Sequence, residues 1–345
     1  MDMNNKVWTK LVSSFMALGL AAAIAGCGGA PAKDASSASS SSAELPKAII
    51  GQSSWLGYAP LFIAQDKGFF KAHGADVTVQ SIESKSDSKS ALAADRIQGI
   101  STTADMHVMN ASSGLDIVQV LALDTSAGGD GIVAKKEYDS IEALKGKKVA
   151  LDMSGSATFF WFQYLLDQKG LKLEDFDIQN MSGGDAGAAF VAGKVDAAVT
   201  FQPWLSKAEG TDFGHTIINS KASPGVIVDT FAMKKDYVKA HPEVAKAIVG
   251  GWYDALAFLK EHPEEAIEII SKHIGQKPED VKKQLGDVEF YDEAGNKTYF
   301  GTKENPGEFY KVTDMANQLW LKLNIISKGV KAEDIIDGSF LDSKA

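Results

Sequence analysis

Short apolar runs alternate with helix-length segments along this chain, and the series runs through twice. "KAIIGQSS" opens the first series: Ala48 to Gly51 is apolar and ends in turn residues, as a buried strand does. Pro60 to Gly68 predicts a helix with proline in its first turn, and Val77 to Ser81 a second strand. "SKSALAADRIQG" (helix), "GISTTAD" (strand end), "MHVMNASSG" (helix) and "DIVQVLALD" (strand) continue it. After "GDGIVAKKEYDSIEALKG" the order restarts. "KKVALDMSGSATFFWFQYLLDQKG" predicts strand then helix, "FDIQNM" a strand, "DAGAAFVAGK" a helix and "VDAAVTFQPW" a strand. Such alternation forces crossover connections, hence two α/β units with mainly parallel sheets. From "HPEVAKAIVGG" onward the chain reads as helical. Val244, Ile248, Trp252, Leu256 and Leu259 share one apolar face, and each "HPE" sets proline at a helix start.

The segment before these units has a different character. Lys6 and Lys10 precede an uncharged stretch from Leu11 to Gly26, which reads as a secretory leader and is short for a membrane span. Ile24-Ala25-Gly26-Cys27 resembles the bacterial lipobox, which implies an acylated Cys27 as a bilayer tether. Cys27 is the sole cysteine, so no intramolecular disulfide is available. Gly28 to about Lys47 is rich in Gly, Ala, Ser and Pro and reads as a flexible leash. The expected division is a leader over 1–26, a lipidated leash over 27–47, and two lobes beyond. The net charge of −10 argues against nucleic acid or an anionic surface as partner.

"GYAPLFIAQDKGFFKAHGADV", "SIEALKGKKVAL", "AGKVDAAVTFQPW" and "MKKDYVKAHPEVAKAIV" resemble the solute-binding proteins of ABC importers in the nitrate, sulfonate and taurine group. The resemblance covers nearly the whole chain after the leash. It implies a two-lobed, periplasmic-binding-protein-like (type II) α/β fold with two hinge crossings and a ligand cleft between the lobes. The crossings fall near "GIVAKK" and "VDTFAMKK", giving lobe 1 over 48–133 and 229–345 and lobe 2 over 134–228. It also implies a monomer on the extracytoplasmic membrane face that delivers a small solute to permease subunits.

Ligands of open α/β sheets sit beyond the carboxyl ends of strands. The loops there are rich in small polar residues. Ser53, Ser54, Trp55 and Tyr58 follow the first strand, and Ser154, Ser156 and Thr158 precede the aromatic helix. Helix-start N–H groups with short hydroxyls attract polar oxygens, and the same residues also serve as ordinary helix caps. Asp105, Asp124, Asp130 and Asp229 stand at strand ends or crossings, where a carboxylate pairs with a ligand ammonium. Caps or turns are the competing roles for the first three. For Asp229 the taurine-binding relatives imply contact with the amine. Gln202 and Trp204 follow the strand "DAAVT" in a loop the family uses in its cleft. Phe160 and Trp161 are read as core, and His107 as a helix-surface histidine.

Arg96 is the only arginine and sits in a turn, so a guanidinium clamp for an α-carboxylate is lacking. The solute class implied is a small sulfonate or aminosulfonate, with a cationic or neutral nitrogen compound as the alternative. The acids count against a purely anionic solute. The six histidines have no metal-ligand spacing, and P-loop, nucleophile-elbow and dinucleotide signatures are lacking, so neither metal, cofactor nor enzyme activity is expected.

Overall fold

A computed structural model of the chain describes residues 44–302 and 304–342. The expected leader, Cys27 and most of the leash lie outside the described residues. Along the described chain come β1 (Lys47–Gln52), β2 (Asp76–Ser81), β3 (Gly99–Thr103) and β4 (Ile117–Ser126). Then follow β5 (Asp130–Lys135), β6 (Lys148–Leu151), β7 (Asp177–Asn180), β8 (Ala197–Phe201) and β9 (Gly214–Asn219). β10 (Val228–Lys234) and β11 (Val288–Phe290) close the series.

They build two sheets, ordered β11-β4-β10-β3-β1-β2 and β7-β6-β8-β5-β9. β1 runs parallel to β2 and β3, while β10 lies antiparallel between β3 and β4. The second sheet repeats this plan: β6 is parallel to β7 and β8, and β5 is antiparallel to β8 and β9. In the first sheet β10 and the edge strand β11 run against the others, β11 pairing antiparallel to β4, and in the second only β5 does; β10 and β5 are each the first strand formed after the chain changes sheets. All ten residues of β4 are buried, which fits a strand covered on both faces.

The chain passes between the sheets over 127–129 and 220–227. The expected lobe division at 133/134 therefore falls inside β5. "GIVAKK" is an interior strand of the second sheet, and its apolar run reflects burial there. Hydrogen bonds lace the two passages together. Ser220 Oγ accepts from Gly128 N–H at 2.7 Å and lies 2.8 Å from Ser126 Oγ. Ile227 O accepts from Ser126 N–H at 3.0 Å and from Thr125 Oγ1 at 2.9 Å.

Phe159, Phe160, Trp161 and Phe162 are all buried, although four consecutive helical residues point in four directions. Their helix, Ala157–Lys169, is covered by the second sheet and by the C-terminal helix Glu308–Lys322. Trp320 of the latter stacks on Phe159 with ring centres 5.9 Å apart and packs against Phe160 at 5.6 Å. Its indole N–H donates to Asp105 O at 3.2 Å. Helix Pro242–Glu261 packs over Pro60–Asp66 and Phe69–Ala72, burying Val244, Ile248 and Trp252. Among the described residues no helix is long and apolar enough to cross a membrane.

Trp320→Ala removes a fully buried ring shared by helices from the two units. The expected loss is about 3–5 kcal/mol of unfolding free energy, measured by denaturant titration.

Candidate functional site

The register of one strand assembles the site. β10 sets Asp229 opposite Thr103 of β3 on one side and opposite Asp124 of β4 on the other. β3 and β4 end at this edge, where helix Ala104–Ser112 begins after β3 and the first passage between the sheets leaves β4. Asp105 lies two residues beyond β3, in the first turn of helix Ala104–Ser112. Asp130 opens β5 just after the first passage. The four carboxylate residues are between 0% and 6% exposed, so an edge that normally meets water is here sealed.

The loop after β1 covers them. Tyr58 donates its hydroxyl proton to Asp229 Oδ1, and Trp55 Nε1–H donates to Asp124 Oδ1 at 3.1 Å. Gln52, the last residue of β1, donates from Nε2 to Tyr58 O at 3.2 Å. Gly57 lets the loop lie flat on the acids: a β-carbon there would stand 2.1 Å from Asp124 Oδ2. The buried atoms left without partners at this edge include Gln52 Oε1, Asp105 Oδ2, Asp124 Oδ2 and the hydroxyls of Ser101 and Thr103. A cavity of about 70 Å³ borders the same loop, lined by Ser53, Tyr58, Lys85, Ser101, Thr102 and Asn110.

Burial without an ion-pairing cation raises all four acids. Desolvation pushes Asp105 and Asp130 up to about 6. Asp229 rises to about 7, chiefly by desolvation and against the Tyr58 hydrogen bond, which holds it down. Asp124 rises well above the carboxylate range, first by desolvation and then by the charge of Asp229. The Lys85 ammonium opposes the rise at Asp105, Asp130 and Asp229 from the rim. His107 is fully buried, with Nε2 3.3 Å from Thr230 O, and desolvation lowers it to about 4. This corrects its reading as a surface histidine: its helix is covered by β10 as well as by β3.

Of the residues singled out from sequence, Trp55, Tyr58, Asp105, Asp124, Asp130 and Asp229 come together. Asp124 belongs to β4 and Asp130 to β5, so neither forms an Asx turn, and the cap of Asp105's helix is Thr103. Ser53 borders the cavity, whereas Ser54 donates to Glu83 Oε2 at 3.0 Å on the surface. The second serine loop is occupied with its own helix. Ser154 donates from N and Oγ to Asp152 Oδ1, at 2.9 and 2.6 Å. Ser156 Oγ caps Phe159 N–H at 3.2 Å and lies 3.0 Å from Thr158 Oγ1. Gly155 nonetheless brings this loop against the first unit, since a β-carbon there would stand 2.7 Å from Met109 Cε. Gln202 Oε1 accepts from Ser206 N–H and Oγ, at 3.2 and 2.9 Å. Trp204 packs on Gly187 with Lys207 Nζ 4.1 Å over its ring. Arg96 is exposed in a turn, away from the acids.

Sequence reasoning passed over Gln52, Lys85 and Asn110. Gln52 carried a usable signal, a polar residue closing an apolar strand. Lys85 carried none, standing in the polar stretch "ESKSDSKS".

The NMT1-like family matches residues 41–275, more than half of the chain. The chain belongs to that family. This NMT1-like protein is 26% identical over 217 residues to a Bacillus subtilis (strain 168) protein named for binding, YtlA, covering 61% of this chain and 65% of that one. A second B. subtilis protein, named for binding aliphatic sulfonates, is 24% identical over 92% of both chains. In fold the protein resembles the periplasmic aliphatic sulphonate binding protein SsuA of Escherichia coli, with a TM-score of 0.71 and 17% identity. That likeness covers 86% of this chain and 99% of SsuA. The two-sheet α/β architecture is therefore the periplasmic-binding-protein fold.

The raised acids set the pH response of the ligand-free protein. Their folded values lie above the unfolded one near 3.8, so the native state holds more protons between them. Stability present below about pH 4 is lost as pH rises through 6 and 7. The thermal midpoint is thus expected to fall between pH 5 and pH 8. Asp229→Asn should flatten that fall and gain about 1–3 kcal/mol at pH 8, read by calorimetry.

Proposed function

We propose that this chain is the extracytoplasmic solute-binding component of an ABC importer, taking a small solute through a positively charged nitrogen group. The observation that supports this best is the set of four buried aspartates at the seam between two laced α/β units, with Tyr58 and Trp55 closed over them. Carboxylates sealed in low dielectric without a cation raise the energy of the closed form. A cationic solute supplies the missing charge, so it favours closure by differential affinity for the closed state. Closure in turn presents both units to permease subunits in one fixed arrangement. The protein acts as a monomer without catalysis. Acylated Cys27 holds it at the outer face of the membrane while the leash leaves both lobes free to move. Trp55, Tyr58, Asp105, Asp124, Asp130 and Asp229 are the ligand contacts.

A second reading, an aminosulfonate such as taurine, is favoured by Lys85 on the cavity wall and by the B. subtilis relative named for sulfonates. The amine then meets the aspartates and the sulfonate meets Lys85. Nitrate and plain alkanesulfonates lack the cationic end and would add negative charge beside four acids.

Two measurements separate these readings. Thermal shift with small amines, taurine, ethanesulfonate and nitrate should show stabilisation only by solutes bearing a cationic nitrogen. The gain is about 2.7 kcal/mol at a concentration of a hundred times Kd, and Asp124→Asn removes it. Lys85→Gln should tighten a simple cation several-fold by removing a competing positive charge, and should weaken an aminosulfonate. Stabilisation by ethanesulfonate alone would sink the cation assignment.

A further inference from the structure

Given the solute-binding reading, the unpartnered atoms of the site narrow the solute beyond its charge. Gln52 Oε1 is a buried acceptor without a donor, and Asp105 Oδ2 and Asp124 Oδ2 join it as unpartnered buried acceptors once a cation favours their ionised forms. Gln52 is held in place by its own Nε2–H bond to Tyr58 O, beside the hydroxyl that bonds Asp229. A solute rich in N–H donors complements these three atoms, and the unpartnered hydroxyls of Ser101 and Thr103 on the neighbouring strand have lone pairs that accept from it as well.

Geometry separates two kinds of N–H cation. The acceptors belong to three different segments: the end of β1, the helix start after β3, and β4, with Asp229 of β10 set between the last two. Adjacent strand ends stand about 5 Å apart, so the acceptors converge from a broad front. An ammonium group carries its donors on one atom and reaches acceptors around a single point. A guanidinium or amidinium carries donors on separate nitrogens in one plane, in forks that match carboxylates bidentately. Trp55, fixed by its indole bond to Asp124, sets an aromatic ring at the acids, and planar cations stack on such faces. A quaternary ammonium has no N–H to offer. Among the described residues no group of three or more His, Cys, Asp or Glu is arranged to hold a metal ion, so a divalent cation does not fit the acids.

Resting on that solute-binding reading, we infer that the site is built for a small planar cation of the guanidinium or amidinium class. It sits among Asp124, Asp229, Asp105 and Gln52 beside Trp55.

Isothermal titration of the full chain at constant ionic strength tests this, using guanidinium, methylguanidinium, acetamidinium, methylammonium, tetramethylammonium, urea, taurine and ethanesulfonate. The expected result is binding of the guanidinium and amidinium probes at least tenfold tighter than methylammonium. Urea, planar but uncharged, and tetramethylammonium should not bind measurably. Gln52→Met, which keeps volume and leaves every carboxylate in place, should weaken guanidinium by about tenfold while the circular-dichroism melt stays cooperative. Tighter binding of methylammonium or taurine overturns the planar-cation assignment and leaves the solute-binding reading standing. Urea binding as well as guanidinium overturns it too, because charge then plays no part. Ethanesulfonate binding with every cation silent overturns both, and silence of all eight probes overturns the inference.

Discussion

Asp124 and Asp229 face each other across β4 and β10, and the surrounding structure is organised around that pairing. Like charges directly opposite in a sheet repel, and burial multiplies the effect by removing water. A sheet built for stability alone would place small or β-branched residues at both positions. Here the neighbours accommodate the acids instead. Tyr58 and Trp55 each donate to one of them, Gly57 yields the space of a side chain, and Trp320 pins the backbone of Asp105. The cluster stands where the chain leaves one sheet for the other, with Asp124 and Asp229 paired in the first and Asp130 opening β5 of the second.

On the proposed reading, protons and solute compete for this cluster. In the ligand-free protein the acids lower their energy by holding protons, which is the physical content of their upward shifts. A cation that pairs with the same oxygens favours their ionised forms, so its binding is linked to proton release. The linkage is strongest between the ordinary carboxylate range and about pH 7, where Asp229 changes state.

The alternation of short apolar runs with helices made both sheets legible, because crossover topology follows from it with few alternatives. The passages were harder to place. "GIVAKK" looks alike as an interior strand and as a connector, and only its pairing with β8 and β9 tells them apart. Within the site, the aspartates were visible because unpaired acids in apolar strands break the pattern. Small hydroxyl residues were ambiguous, since one Ser-rich loop borders a cavity at Ser53 while the other, at Ser154 and Ser156, caps its own helix. Both loops bond internally, Ser53 Oγ accepting from Trp55 N–H at 3.4 Å and Ser154 donating to Asp152, so the residue types alone do not tell which loop faces a cavity. Lys85 acts on the acids through space from a polar helix start, and no local pattern encodes such a relation.

The two passages between the sheets carry a mechanical consequence. They lie side by side and share Ser220, whose hydroxyl holds the backbone of one and meets the serine ending β4. A pair of parallel straps tied at one point bends easily about the line joining them and strongly resists shear or twist. On the proposed reading the lobes then have one soft coordinate, and each solute that closes the seam drives the molecule along the same arc. A docking partner can then read occupancy as a single angle, without sensing the chemistry of what is bound.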